Sequence, residues 1–284
     1  MTEILAYGFM QKAFAAGILV SITCSVISFF VLVNRLSFIG VGISHAAFGG
    51  VAIGIFFGIE PTLSAVIFSV LTAWMIGIVS RRGRLHEDTT IGIFYAAAMA
   101  LGIVIIGLSK GYTVDLFGYL FGNILAVTST DLWIVVILGL FVLGTVFYFF
   151  KELLYVSFDE ESAQVSGVPV AFFYYYLLTL MAVTIVISMK VVGIILVSAL
   201  LVIPAAAAYE VTSHYRSVLM VSVIVGIVSA LGGLLVSYRF NTASGATIVL
   251  MAAAVFLLLF VLRSLRTGPA RARIQGRVPP DPKG

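Results

Sequence analysis

Long uninterrupted apolar stretches, separated by short polar segments, dominate the pattern along this chain. Nine of them contain no Asp, Glu, Lys or Arg, and each approaches the roughly 20 apolar residues that a membrane-spanning helix needs. In chain order they are 13–33, 36–59, 61–80, 91–109, 132–150, 162–189, 191–209, 217–238 and 240–262. The apolar residues are continuous, whereas the strands of a membrane β-barrel alternate. The pattern therefore predicts an all-α polytopic membrane protein with about nine transmembrane helices.

A tenth apolar segment, 116–130, is too short and too polar to cross the membrane. It is bounded by Asp115 and Asp131 and carries Asn123 and Thr128. We therefore predict a short external helix, either re-entrant or interfacial. The two aspartates either guide a cation to an entrance or cap helices.

Composition excludes several classes of protein. Of the 284 residues, 62% are hydrophobic and 10% are charged, against about 25% charged in a soluble domain. A soluble enzyme, a disordered chain and a basic nucleic-acid binder are therefore all excluded. Because Cys24 is the single cysteine, neither a disulfide framework nor a thiolate metal cluster is available.

The basic residues predict the orientation. With nine spans the termini lie on opposite sides, and a cytoplasmic C-terminus puts twelve of the sixteen Lys and Arg residues inside. The positive-inside rule favours that arrangement, with the N-terminus outside. We predict a transmembrane domain over 1–265 and a basic, disordered cytoplasmic tail over 266–284 that can touch anionic membrane lipid.

A histidine inside the second span is the outstanding polar residue. His45 lies within FIGVGISHAAFGGVAIG, residues 38–54, beside Ser44 and between Gly42 and Gly49. Small residues let helices approach closely, and neutral imidazole binds zinc and other borderline metals. The alternative is a histidine that bonds a neighbouring helix and only packs. His86 and His214 lie in predicted cytoplasmic loops and are expected to be solvated.

The seventh span carries a second signal. Pro204 lacks an amide hydrogen and is expected to kink or end the helix, with Ser198 nearby. Kinked helices of small residues commonly line transport paths, although ordinary helix packing explains the same pattern.

The longest polar loop, 157–169, predicts a short cytoplasmic helix. Ser157 is expected to cap it, the acidic residues 159–161 fill its first turn, and Gly167 and Pro169 end it. Such a helix fits a docking element, and an ordinary amphipathic loop helix is the alternative. The chain has no GxxxxGK[ST] motif, so if ATP drives this protein another chain binds it.

Six passages, in the same order, resemble the integral-membrane permease subunit of zinc/manganese/iron-type ABC importers. They are RLSFIGVGISHAAFGGVAIG (35–54), EDTTIGIFYAAAMALGIVI (87–105), DLFGYLFGNILAVTSTDL (115–132), FDEESAQVSGVP (158–169), VGIILVSALLVIPAAAA (192–208) and SGATIVL (244–250). The resemblance covers roughly residues 6–265.

This resemblance implies a function and a set of partners. Two permease chains pair around a central path, two cytoplasmic ABC ATPase chains dock on them, and an external binding protein delivers a divalent metal, with zinc ahead of manganese and iron. ATP-driven alternating access then imports the metal across a bacterial or archaeal plasma membrane. The chain itself would be a transport subunit, not an enzyme, and would bind no cofactor and no nucleic acid.

The resemblance also assigns residues by position. The coupling element comprises Asp159, Glu160, Glu161, Ala163 and Gly167. His45 belongs to the central path and is its transient metal ligand, and the predicted lining also includes Ser44, Gly42, Gly49, Ser198 and Pro204.

One departure from the family pattern concerns position 41. Many members carry an acidic residue four positions before the histidine, where this chain has Val41. A two-ligand site on this helix is therefore not expected. The alternatives to a metal importer are an ABC permease for a metal chelate and an ion-coupled secondary transporter. The nine spans count against the first, and the lack of a carboxylate within the charge-free runs counts against the second.

Overall fold

A computed structural model describes residues 8–82, 86–108, 116–122, 124 and 127–275. The regular elements in those ranges are helices, which we number α1 to α13. They are α1 Gly8–Val33, α2 Ser37–Phe57, α3 Pro61–Arg82, α4 Glu87–Leu108, α5 Leu116–Phe121, α6 Ser129–Tyr148, α7 Phe150–Phe158, α8 Glu160–Val165, α9 Val170–Val192, α10 Ile194–Leu200, α11 Ile203–Tyr209, α12 Tyr215–Phe240 and α13 Ser244–Gln275.

Eight helices in the described ranges are long and apolar enough to span a bilayer. They are α1, α2, α3, α4, α6, α9, α12 and the Ser244–Leu265 part of α13. These helices confirm the predicted all-α polytopic class. The last helix continues beyond the predicted boundary at 265, and residues 276–284 of the predicted tail lie outside the described residues.

The predicted start of the sixth span, at 162, is wrong. The spanning helix α9 begins at Val170, because residues 160–165 form the separate helix α8. Gly167 follows α8 with a φ of +82°, and a glycine in that left-handed region ends a helix. The turn therefore keeps α8 and α9 apart, although no charged residue separates them.

The seventh predicted span, 191–209, is broken into α10 and α11. Gly193 precedes α10 with φ 97° and ψ 150°, and Pro204 lies in the first turn of α11, where its missing amide hydrogen costs no helical bond. At the break, the backbone amide of Ala205 donates to Ser28 Oγ of α1 at 3.2 Å. An unpaired amide inside a membrane costs several kcal/mol, so this bond supports the break.

The broken segment nevertheless crosses the bundle. At one end, Val192 packs on Gly245, near the start of α13. At the other end, Glu210 pairs with Arg263 of α13 at 3.0 Å. About 27 Å of helix separates Gly245 from Arg263 at 1.5 Å per residue. Residues 193–210 therefore make a ninth crossing that no single helix of spanning length provides.

Helix α1 lies at the centre of the bundle. In the most apolar stretch of α1, 72% of the residues are buried, against 17% in α4. Helix α12 packs antiparallel to α1, since the Ser222 hydroxyl donates to the Ser25 carbonyl at 3.1 Å and Leu234 contacts Gly17. The outer helices α4, α6 and α13 therefore present most of their apolar surface outward.

The short segment after α4 does not span the bundle, as predicted. Helix α5 has only six residues, and Ile124 beyond it is fully buried and lies against Gly17 of α1. Gly17 is nine residues into α1, or roughly 13 Å from its start. The segment thus dips into the bundle from one end.

Three glycines from three elements meet where this segment touches the broken crossing. Gly122 at the end of α5 packs on the backbone of Val192 and Gly193, and Gly245 of α13 packs on the carbonyls of Val192 and Phe121. A Cβ at any of the three would overlap neighbouring backbone atoms. We call Gly122, Gly193 and Gly245 the three-glycine junction.

Polar contacts define the two ends of the bundle. One end, which we call the basic end, holds the Asn34–Ser157 hydrogen bond and the Arg81–Glu160 and Arg263–Glu210 ion pairs. The basic residues at that end include Arg35, Arg81, Arg82, Lys151, Arg216 and Arg263, whereas Lys12, Lys190 and Arg239 lie at the other end. The charges are therefore separated as the sequence predicted.

The opposite end, which we call the Lys190 end, carries a capped helix start. Thr128 and Asp131 form a capping box at the start of α6, and Lys190 Nζ lies 2.6 Å from Asp131 Oδ1. Asp131 therefore caps a helix, which was one of its two predicted roles. Asp115 lies outside the described residues.

Candidate transport path and docking helix

The His45 ring is oriented by the backbone of its own helix. Its Nδ1 lies 2.9 Å from the Val41 carbonyl oxygen, one turn earlier in α2. Because a carbonyl oxygen only accepts hydrogen bonds, Nδ1 carries the hydrogen, and the neutral ring has its lone pair on Nε2. Position 41 thus contacts the ring through its main chain, whereas its side chain, a valine, offers no ligand.

Two neighbours fix the ring further. Ser44 is buried, and its hydroxyl donates to the same Val41 carbonyl at 2.8 Å. The Tyr95 ring of α4 meets the imidazole edge to face, with 4.6 Å between centroids. His45 remains half-buried. Its Nε2 is therefore held in one orientation at the boundary between α2 and α4.

The glycines that flank His45 lie in helix contacts. A Cβ on Gly42 would sit 2.9 Å from Ile91 Cγ2, and one on Gly49 would sit 2.7 Å from the Ala98 carbonyl oxygen. Both neighbours belong to α4, so these glycines bring α2 and α4 together. Their predicted place in a transport path stays a prediction, and the contact gives them a packing role.

Helix α10 of the broken crossing runs along α2. Leu201, just after α10, lies near Gly40, and Ile194 at the other end of α10 clusters with Ala47 and Val51. Ser198 lies between these two contacts, which puts it at about the depth of His45. Pro204 is buried at the start of α11, beyond the break. The structure thus brings Ser198 to the level of His45 and leaves Pro204 nearer the basic end.

Within the described ranges, no three His, Cys, Asp or Glu side chains converge as they would around a bound metal ion. His86 and His214 lie beside the starts of α4 and α12, at the basic end. In the described ranges His45 therefore offers one ring nitrogen, Nε2, that is not held by the Val41 carbonyl. Such an arrangement can contact a passing cation more readily than it can retain one.

Asp159 caps the short helix at the basic end. It accepts hydrogen bonds from the Ser162 amide at 2.9 Å and from the Ser162 hydroxyl at 2.5 Å. These bonds hold the pKa of Asp159 below its ordinary value of 3.8. The prediction that Ser157 is the cap is wrong. The Ser157 hydroxyl instead donates to the Leu153 carbonyl and accepts from Asn34, because α7 continues through position 157.

Helix α8 protrudes from the bundle and is anchored to it by one buried residue. Ala163 is fully buried, whereas Glu160, Glu161 and Gly167 are exposed. Val165 is 89% exposed and is the feature that the sequence prediction missed. An apolar residue in a polar loop was the available signal. Helix α8 thus presents an acidic edge and an apolar tip away from the bundle.

A cluster of charged and aromatic groups ties α8 to α3 and α9. Arg81 at the end of α3 pairs with Glu160 at 3.0 Å, and its guanidinium lies 3.8 Å from the centre of the Tyr174 ring of α9. Arg81 therefore links α8 to two spanning helices, α3 and α9. No local pattern connects residues 79 positions apart, so the sequence did not reveal this contact.

The fold and these contacts define a polytopic permease with a broken crossing, a half-buried histidine and a protruding helix at its basic end. The chain belongs to the ABC 3 transport family, whose profile matches residues 6–263. This membership confirms the resemblance and decides against the secondary-transporter alternative.

Relatives of known description agree with this family. The chain is 42% identical to "Manganese transport system membrane protein MntC" of Halalkalibacterium halodurans, over 91% of this chain and 88% of the relative. It is 34% identical to "High-affinity zinc uptake system membrane protein ZnuB" of Haemophilus influenzae, over 87% and 94% of the two chains.

A solved structure has the same fold. "PsaBC from Streptococcus pneumoniae in complex with Fab" superposes with a TM-score of 0.83 and 38% sequence identity, covering 90% of this chain and 92% of the other. The architecture of α1 to α13 is therefore that of an ABC permease.

Proposed function

We propose that this chain is the membrane subunit through which a binding-protein-dependent ABC importer moves a divalent transition-metal cation into the cell. The observation that carries the proposal is the fixed orientation of His45. A backbone carbonyl holds Nδ1, which leaves Nε2 as a ligand, and metal-binding histidines are commonly oriented in this way. Because no carboxylate converges on His45 within the described residues, the contact is brief, which suits a path that must release its cargo.

Manganese is the first cargo to test. Relatives described as manganese transport proteins include the 42% identical chain, whereas the zinc-system relative is 34% identical. The chemistry is compatible with both metals, since imidazole suits zinc while carbonyl and water oxygens suit manganese. The predicted preference for zinc therefore has no support over manganese.

A second copy of this chain is the proposed partner across the path. The outward face of α4 carries Gly92 and Gly107, with no atom within 4 Å of a Cβ built on either, and exposed Ile93 and Ile103. Small residues let helices of two chains approach closely. Tyr95 lies on the same helix and contacts His45, so pairing through α4 would enclose the histidine between two copies.

The two ends of the bundle indicate where the ATPase subunits and the external binding protein would dock. Helix α8, with its acidic edge and exposed Val165, is the proposed docking site for the ABC ATPase subunits, which bind the ATP. The excess of arginine at the basic end supports a cytoplasmic location for it. The Lys190 end would then face outward and receive the metal from an external binding protein.

Replacing His45 with glutamine tests the proposed function. Glutamine keeps a hydrogen bond and similar bulk but is a poorer metal ligand, so His45→Gln is expected to assemble normally and lose roughly tenfold or more of its metal uptake. The measurement is uptake of radioactive manganese by vesicles that contain the full complex, with zinc and iron as competitors.

The matched control is His214→Gln, which makes the same change at an exposed residue of the basic end and is expected to transport normally. Wild-type uptake by His45→Gln would favour the packing role of this histidine and contradict the proposed path.

A further inference from the structure

An open groove lies between α3 and α9, and none of the residues of the proposed transport path lines it. Its volume is about 540 Å³, within the range of small-molecule sites. Trp74 and Ile78 line it from α3, and Phe172 and Tyr175 line it from α9. At its inner end, the Trp74 indole donates to the Thr179 hydroxyl at 2.9 Å. The groove is therefore mainly apolar, and the polar groups of Trp74 and Thr179 at its inner end are already bonded to each other.

The mouth of the groove carries an available cation. Arg82, the last residue of α3, lines the groove and is exposed. Its neighbour Arg81 is engaged by Glu160 and Tyr174, whereas Arg82 has no ion-pair partner in the described ranges. Whatever fills the groove therefore meets one guanidinium at its mouth.

The groove runs along the membrane-facing surface of the bundle. Trp74 lies eight residues before Arg82, so the groove extends roughly 12 Å from the basic end towards the bundle centre. Trp74, Ile78 and Phe172 are each more than 40% exposed, which leaves the groove open at its side.

We propose that the groove is a binding site for an anionic phospholipid, with an acyl chain along Trp74 and Phe172 and its phosphate on Arg82. An amphiphile matches both features, an apolar slot open to the bilayer and a single cation at the head-group level. A second copy of this chain would cover the aromatic residues but would leave Arg82 opposite an apolar helix face. A charged residue near an anionic membrane surface favours anionic lipid by roughly fivefold.

The two tryptophans of the chain allow a direct test. Trp133→Phe leaves Trp74 as the single tryptophan, located in the groove. The full-length variant is reconstituted in phosphatidylcholine vesicles that contain a small fraction of either brominated phosphatidylglycerol or brominated phosphatidylcholine. Because bromine quenches tryptophan fluorescence on contact, we expect phosphatidylglycerol to quench Trp74 roughly fivefold more effectively at equal mole fraction.

Three controls separate the site from general lipid contact. Trp74→Phe leaves only Trp133, which is 65% exposed at the Lys190 end, and its quenching is expected to be the same with both lipids. Arg82→Gln is expected to remove the preference at Trp74, and Arg82→Lys to retain most of it. Arg216→Gln removes the same charge from α12 at the same end and is expected to leave the preference intact.

Equal quenching of Trp74 by the two brominated lipids would overturn the proposal, because the groove would then have no head-group preference. Absence of quenching by either lipid would overturn it too, since protein would then cover the groove. A preference that survives Arg82→Gln would exclude Arg82 as the phosphate ligand.

Discussion

At the scale of single residues, the three-glycine junction brings the backbones of three elements into direct contact. Gly193 has φ 97° and ψ 150°, a region that is essentially restricted to glycine. Its α-hydrogen faces the backbone of Phe121 and Gly122. The junction therefore joins the re-entrant segment to the broken crossing without a side chain between them.

Gly193→Ala is expected to destabilise the bundle. The conformational strain alone costs on the order of 1–3 kcal/mol, and the new methyl group overlaps the backbone of Phe121. The measurement is the midpoint of thermal unfolding of the purified protein in detergent.

The matched control is Gly144→Ala in α6, where no atom lies within 4 Å of the added Cβ. That substitution is expected to leave the unfolding midpoint unchanged or to raise it slightly, because alanine favours a helix. Equal midpoints for the two variants would show that the junction is not under steric constraint.

At the scale of elements, α8 depends on its cap because a six-residue helix has few bonds of its own. The lowered pKa of Asp159 means that the cap is present above the ordinary value of 3.8 and is lost only as the pH falls through the lower folded value. At neutral pH the carboxylate is therefore always available to hold the helix start.

Asp159→Ala is expected to reduce coupling between the ATPase and transport, because it removes the cap while leaving the spanning helices intact. Asparagine caps helices about as well as aspartate, so Asp159→Asn is expected to retain coupling. The measurement is ATP hydrolysis stimulated by the metal-loaded binding protein, together with uptake by the full complex.

Normal coupling in Asp159→Ala would show that docking does not need the capped helix. If asparagine fails as badly as alanine, then the negative charge, and not the cap, is what the ATPase recognises.

At the scale of the whole molecule, the distribution of basic residues and the number of membrane crossings predict the same orientation of the chain in the membrane. Single cysteines introduced as Ser162→Cys and Thr242→Cys, in a Cys24→Ala background, lie at opposite ends of the bundle, and both positions are exposed. A membrane-impermeant thiol reagent applied to intact cells is expected to label position 242, and to reach position 162 only after permeabilisation. Labelling of both positions from outside would contradict the nine-crossing arrangement.

The sequence predicted most of this architecture because a long run without charged residues is typical of a helix that lies within the lipid bilayer. It located α1 to α4, α6, α12 and the membrane part of α13, and it separated α5 from the spanning helices. The charge-free run that begins at position 162 overlaps α8, because hydropathy does not register a turn, whereas the acidic first turn and the stop signal at Gly167 did predict a separate short helix.

For the candidate site, local chemistry singled out His45 but not its surroundings. The orienting group is the main-chain carbonyl of Val41, which any residue at that position supplies, so side-chain identity carries no signal. Tyr95 and the Arg81–Glu160 contact are brought in by distant helices, and only the folded chain shows them.

The broken crossing has a consequence for how the protein is made. Neither α10 nor α11, at seven residues each, offers the insertion machinery a helix of membrane length. Two residues that contact this segment, Gly245 and Arg263, belong to α13, which is synthesised after it. A nascent chain halted before α13 would therefore hold this segment against α1 and α2 but without its contacts to α13. Synthesis of α13 then completes the packing of the broken crossing.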